Sequence, residues 1–563
     1  MRLVLAFGLL VVCTGTADAQ ALPDLAPREV EIRGELTISF PSLRRQPLVG
    51  FNPPPRIPEI GLRRMPYVEA YKQTGAELPQ NPLRNPTTPR ALPMASGQGF
   101  NGTIETGFGR YSTRYLNVDA ALYATSSTRW TVRGDYDGAT SWAPHGFNAE
   151  ADGFSGVTRY VTTGSRSAFG FDLGGSSHAY RLFGVDTAGT AGTSPSPRRT
   201  RSDLLGTAWF GSGSDSRLGY RLQIEGFTGR VSTDAFEAEV APGERDDAGV
   251  SGQLEVNSGG FALDAAAGSL TLDSAENPGR AVGHFDAGAS VRFDLGRSTT
   301  VRIGGRALGF EASGAATGGS RRALTYASPL IEIESVLAPN VRLELSQRPH
   351  LDNPRPGNRF REQPYLSDEV HIEPTLFDID ATVRLRGFWR TIQASMIATY
   401  QGSPNYRYVE HAPTNYAGYP RGLSALRYGE ARTLSLGGEV RLSPTPGVEA
   451  RLGARVQDGR LTSLDADLPY FSRWVVSGML SSGFANRRGL IQLTSEVLGP
   501  RAVDAAGGLD TDTVADLDVR ISYGFVGGAL VALELRNMLG ETPYWYNYPE
   551  APATVVLGVG WRW

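Results

Sequence analysis

From Gly99 to the C-terminus the chain alternates apolar and polar residues with a period of two, in short runs. A strand has that period, and a strand with one apolar and one polar face buries only the first. Phe377, Ile379, Ala381, Val383 and Leu385 interleave with Asp378, Asp380, Thr382, Arg384 and Arg386, and Leu218, Tyr220, Leu222 and Ile224 interleave with Arg221, Gln223 and Glu225. In the final run Val555, Leu557, Val559, Trp561 and Trp563 share one face, and Thr554, Val556, Gly558, Gly560 and Arg562 the other. An apolar face ending in two tryptophans suits lipid and an interfacial aromatic girdle, and a face of Gly and Arg suits a watery lumen. No apolar run after the first nineteen residues reaches the roughly 20 residues of a membrane-spanning helix. The mean hydropathy of -0.24 is compatible with a membrane barrel, because only alternate residues would meet lipid.

A soluble sandwich alternates too, but the connections here carry a second asymmetry. Short turns are expected near 125–128, 164–167, 212–216, 257–260, 294–298, 337–340, 386–390, 443–447, 484–488 and 524–528. Between them lie longer stretches, such as 139–153, 185–200, 230–247, 346–373, 402–430 and 539–553. Tight turns at one end and long loops at the other are the sidedness of an outer-membrane barrel. Pairing hairpins back from the C-terminus gives about 22 strands, the first near Phe100 and closing on the last. The expected fold is therefore all-β, a transmembrane antiparallel barrel over 98–563 following a Pro-rich extension over 20–97. The 68 glycines fit tightly turned β structure rather than helical repeats.

The N-terminus predicts export. Arg2, the apolar run Leu3–Val12 and Ala17-Asp18-Ala19 have the form of a signal peptide over 1–19. The single cysteine, Cys13, lies inside it, so no disulfide is expected; Val12 before it is bulkier than a lipoprotein signal favours. Residues 20–97 are crowded with proline, which disfavours helix and central strand, apart from an alternating stretch at Val30–Phe40 that could add to an edge.

In the second half, Leu517–Tyr523, Val531–Leu535, Arg536-Asn537-Met538-Leu539-Gly540 and Tyr544-Trp545-Tyr546 resemble the last hairpin of TonB-dependent receptors. Gln363-Pro364-Tyr365-Leu366, followed by Glu373-Pro374 and an alternating strand, is similar to that family's proline-leucine loop, and Trp563 fits its aromatic C-terminal residue. The resemblance implies a receptor barrel of the outer membrane, with Trp561 and Trp563 in the closing strand as the signal to the barrel-assembly machinery. The family's globular N-terminal plug has no counterpart of the same length or patterning in 20–97, so a barrel without the usual plug is expected. A barrel of this width needs an occluded lumen, since about 16–18 strands already leave an aqueous channel. The extension could fold inward, with Arg44, Arg45, Arg63 and Arg64 pairing with lumenal carboxylates; the long loops or a partner could do so instead.

Signals for catalysis, cofactors or metal are thin, because the six histidines are scattered singly and no nucleophile elbow or Cys/His cluster occurs. The near-neutral net charge of -3 gives no reason to expect nucleic acid as a partner. His350 and His411 read as solvated loop residues. The candidate ligand or partner loops are 346–373, with Arg355, Arg359, Arg361 and Tyr365, and 402–430, with Tyr406, Arg407, Tyr408, Tyr416, Tyr419 and Arg421. Tyr and Arg dominate binding hot spots. Two functions follow: solute binding or transport across the outer membrane of a Gram-negative bacterium, with long loops outside and both termini periplasmic, or a scaffold barrel holding other outer-membrane or periplasmic proteins.

Overall fold

A computed structural model describes residues 101–563, except 141–149, 183–195, 214–215, 217, 235–242, 275–278, 314–321, 354, 369, 412–422, 541–542, 546–547 and 550. The signal segment, the Pro-rich extension and its arginines lie outside the described residues.

The described chain is a closed antiparallel barrel of 22 strands, from Asn101–Gly109 to Thr554–Arg562. A two-residue pairing at Ala466–Asp467 adds to the same sheet outside the ring. Each strand pairs with the next in sequence, and the ring closes where the first meets the last, from Thr103 opposite Arg562 to Gly109 opposite Val556. The strand number, the start of the first strand and its pairing with the last agree with the sequence reading. The tight turns at 125–127, 164–166, 259–260, 339–340, 390–391, 446–447 and 525–528 all lie at one end, and the long connections at the other.

Register divides each strand into two faces. Ile224, Val250, Val291, Ile303, Met396, Leu436, Leu452, Leu557 and Val559 point outward and are exposed, an apolar surface too extensive for water and suited to lipid. Inward residues form cross-strand ion pairs: Arg133–Asp119 at 2.8 Å, Arg159–Asp172 at 2.8 Å, Arg306–Asp264 at 2.8 Å and Arg441–Glu449 at 2.9 Å. Such pairs stabilise a polar lumen that would otherwise expose unbalanced charge in a low-dielectric wall. At the short-turn end Trp130, Phe169, Phe210, Phe261, Phe293, Trp389, Phe484, Phe525, Trp561 and Trp563 stand exposed as an aromatic girdle. Among the described residues no helix is long and apolar enough to cross a membrane, and the strands are the spanning elements.

The seam carries its own chemistry. Arg520 donates to both carboxylate oxygens of Glu105 at 2.7 Å and also to Glu534, reaching over the last strand to the first. Tyr115 donates its hydroxyl to Glu105 at 2.7 Å. The last strand lies between these groups and presents Gly558 and Gly560 to the lumen, which leaves room for the bridge. A Cβ on Gly560 would come within 2.6 Å of the Ile104 carbonyl oxygen, and one on Gly558 within 2.1 Å of the Tyr115 hydroxyl. Gly560→Ala therefore forces backbone apart at the closure and should cost about 1–3 kcal/mol, the usual range for overpacking. The readout is the temperature at which the folded band converts to the unfolded one in heat-modifiability electrophoresis. It should fall in the variant, and an unchanged temperature would contradict the tight seam.

Candidate functional site at the long-loop end

The longest described connection, 348–378, does not project from the barrel but folds back into it. It starts as a short hairpin, with His350–Asp352 pairing with Thr375–Phe377, and holds one helix, Pro356–Glu362. Pro at the helix start pre-sets φ where no backbone donor is needed. From Pro364 to Glu373 a strap follows the inner wall; it forms a single bridge, Leu366 with Ser424, and arginines of the wall satisfy several of its carbonyls.

Three arginines hold the strap, two through its carbonyls and one through its side chains, each from the long-loop end of every second strand. Arg199 donates to the carbonyls of Pro364 at 2.8 Å and Leu366 at 2.5 Å, and pairs with Asp368 at 2.8 Å. Arg245 donates to the carbonyls of Asp368 at 3.2 Å and Val370 at 2.5 Å while pairing with Asp247 at 2.9 Å. Arg280 contacts His371 and pairs with Glu373 at 3.3 Å. These arginines are 0%, 2% and 2% exposed, so each charge is wholly removed from water and needs a carboxylate, which the strap supplies for Arg199 and Arg280 and the strand itself for Arg245. Around them Val231, Leu270, Val282 and Phe310 of the wall close an apolar core on Phe360, Leu366, Val370 and Ile372.

A second element covers the same end. In the strand Ile392–His411, Pro404 removes a ladder donor, and the register slips between Ser403 and Tyr406. Beyond the slip, Asn405 and Tyr406 on this strand, and Ser424, Ala425 and Leu426 on its partner Ser424–Thr445, are buried at successive positions, so both faces of the hairpin top are covered. Ser424 exchanges backbone hydrogen bonds with the strap, Ser367 N to Ser424 O at 2.9 Å and Ser424 N to Tyr365 O at 2.8 Å. Strap and hairpin top together roof the lumen. Of the stretch 402–430, expected as a loop, residues 402–411 and 424–430 are strand, held at the top by contact with the strap.

Leu366 of the strap and Leu426 of the hairpin top also line a cavity of about 90 Å³ where several chain segments meet. Arg359 and Glu362 come from the helix, Asp352 and Thr375 from the short hairpin, Tyr406, Arg407 and Tyr408 from the bulged strand, Tyr470 and Phe471 from the connection 462–473, and Trp545 from the last long loop. Arg359 pairs with Asp352 at 2.8 Å and Glu362 at 3.0 Å, and Arg407 with the same two at 3.5 and 3.7 Å. Two cations and two anions alternate around a square, so the lining is charge-balanced. Tyr470 and Trp545 lie 4.7 Å apart between ring centres.

The structure brings together four of the residues singled out from sequence, Arg359, Tyr406, Arg407 and Tyr408. Arg355 instead anchors the connection to the wall through Glu225, and Arg361 is exposed and donates to Asn358 at 2.8 Å. Tyr365 stacks on Tyr548 at 3.4 Å and meets Tyr180 edge-on. Burial beside Tyr365 raises the Tyr548 phenol well above its ordinary value, keeping that stack uncharged. Tyr416, Tyr419 and Arg421 lie outside the described residues. The two histidines expected in solvent are not there: His350 stacks on Phe377 at 4.7 Å and faces Asp380, and His411 is 3% exposed. Sequence reasoning missed Arg199, Arg245 and Arg280, and took Trp545 only as part of the last-hairpin motif. A recurring arginine at the loop end of alternate strands was the available signal.

The comparisons point one way. The chain is similar to the FrpB iron transporter from Neisseria meningitidis (F5-1 variant), with a TM-score of 0.64 at 10% identity over 83% of each chain. The fold is that of a TonB-dependent receptor barrel. BauA, the ferric preacinetobactin receptor from Acinetobacter baumannii, matches with a TM-score of 0.62 at 12% identity, over 83% of this chain and 80% of that one. The copper transporter OprC matches with a TM-score of 0.62 at 12% identity, over 83% and 81%. No family model matches the sequence, and no curated protein does. Among the described residues no group of three or more His, Cys, Asp or Glu could hold a metal ion.

Loss of one clamp tests the roof. Arg245→Met leaves two strap carbonyls and Asp247 without their donor, at about 3–5 kcal/mol for breaking a buried pair. New proteolytic cuts between residues 353 and 374, and a larger single-channel conductance in planar bilayers, are expected. A wild-type digest and conductance would mean the arginines do not hold the strap.

Proposed function

We propose that this chain is an outer-membrane receptor barrel that captures a small solute at its long-loop end and admits it to the lumen. The observation that carries the reading is the charge-balanced cavity at the long-loop end, built by several segments on a barrel of receptor fold. Solute sites are concave, with a few fixed polar groups among apolar and aromatic ones, and this lining has that make-up. The similar structures are a transporter of iron, a receptor for a ferric siderophore and a transporter of copper, which supports transport as the general task.

The barrel sits in the outer membrane of a Gram-negative bacterium, with the long loops outside and both termini in the periplasm. Short turns and the Trp561/Trp563 end then face the periplasm, where the assembly machinery meets the closing strand. Uptake does not run through a standard TonB-coupled plug: the extension 20–97 is Pro-rich, and the strap already crosses the loop end of the lumen.

Reconstitution tests the reading. Proteoliposomes should swell in small uncharged solutes at a low rate, and replacing 354–373 by a Gly/Ser linker should raise that rate several-fold. Swelling that stays at the level of empty liposomes in both, with stoichiometric co-purification of other envelope proteins, would favour the scaffold function instead.

A further inference from the structure

The four charges that line the cavity do not hold one another equally. Arg359 is 5% exposed and reaches Asp352 at 2.8 Å and Glu362 at 3.0 Å, close to the lengths of charge-assisted hydrogen bonds. Arg407 meets the same two carboxylates at 3.5 and 3.7 Å, well beyond the ~2.7–2.9 Å that such a bond prefers. All four contacts run to Oδ2 of Asp352 or Oε2 of Glu362. The second oxygen of each carboxylate takes no part in the square, and the two side chains are 41% and 22% exposed. One guanidinium is therefore loosely engaged, and two carboxylate oxygens are left over, on side chains that all line one cavity. The planar fork of Arg407 suits a ligand carboxylate, and the leftover oxygens suit a ligand ammonium group.

The balance of the lining decides the ligand's net charge. A ligand of one sign would leave a charge of the other sign unmatched in a partly desolvated space. A ligand with one charge of each sign keeps the balance and exchanges two long contacts for short ones. The Tyr408 ring, also in the lining, adds a face that attracts an ammonium group. Leu366, Phe377, Leu426, Leu468 and Phe471 line the remainder and suit an apolar side chain. The volume, about 90 Å³, exceeds the ~10–15 Å³ needed by one water and falls below the ~300–1,000 Å³ of drug-sized sites. It admits a single small molecule and not a chain of them.

We propose that this cavity binds a free α-amino acid as its zwitterion, with the carboxylate on Arg407, the ammonium group on Asp352 and Glu362, and an apolar side chain against Phe377 and Leu468. The inference rests on the receptor reading above and names the class of its solute. Arg359 keeps its two short pairs throughout and fixes both carboxylates in place while Arg407 turns to the ligand.

The test is calorimetric titration of the purified full chain in detergent. The probes are L-leucine, L-methionine and L-phenylalanine, each run beside its decarboxylated amine and its deaminated acid. At least one amino acid should bind saturably, and its amine and its acid should each bind at least about 10-fold more weakly, the loss of one hydrogen-bonded charge. Arg407→Met should weaken the amino acid by about 10- to 100-fold and leave the weak binding of the amine unchanged, a split that mere loosening of the fold would not produce. Circular dichroism and heat-modifiability equal to wild type establish that the variant folds, and the comparison of probes on wild type stands without it. Failure of all three amino acids at millimolar concentration overturns the inference, as does an amine or acid that binds as tightly as its parent, or undiminished binding in folded Arg407→Met. If none binds but proteoliposomes swell, and swell faster without 354–373, the amino-acid assignment falls and the receptor reading stands. If none binds and proteoliposomes do not swell, both fall.

Discussion

Closure of the first strand on the last is the constraint from which the rest follows. In hydrocarbon an open sheet edge leaves a row of backbone donors and acceptors unpaired, at several kcal/mol each, so a spanning sheet exists only as a ring. Here the ring closes over a short contact, Thr103–Gly109 against Val556–Arg562, reinforced from inside by Glu105, Arg520 and Glu534. Small residues on the last strand are the condition for that reinforcement. A side chain at 558 would meet the Tyr115 hydroxyl, and one at 560 the backbone of Ile104 and Glu105.

Once the ring has 22 strands its lumen is too wide for wall side chains to fill. Buried charge supplies the answer at the loop end. A segment without sheet partners can cross a lumen only if its carbonyls find donors, and guanidinium groups offer several each in a planar fork. Arg199 and Arg245 are therefore spent on the strap's carbonyls, and Arg280 on its Glu373 carboxylate, rather than on a solute. The roof they fix determines which other polar groups remain to greet a ligand. Arg355, Arg361 and Tyr365, chosen for chemistry suited to binding, are used up in anchoring, solvent contact and stacking, whereas Arg359 and Arg407 remain at the cavity as a neutralised pair.

The wall was legible in the sequence because its rules are local. Period two assigns Leu557 and Val559 to lipid and Gly558 and Gly560 to the lumen without reference to anything distant, and turn lengths assign the two ends. Tertiary structure alone decided which long connection turns inward, since 348–378 and 402–430 have similar polarity and share Tyr and Arg. The strap's course depends on three arginines between 93 and 167 positions away from the carbonyls and carboxylate they satisfy, a match no local pattern encodes. Likewise Trp545, Tyr470 and Arg359 come from separate connections and acquire a common role only when the ring brings the loop ends together. Sequence determined the ring, because each strand obeys the pleat by itself; the site came from folding, because it is made of ends that meet only after the ring has closed.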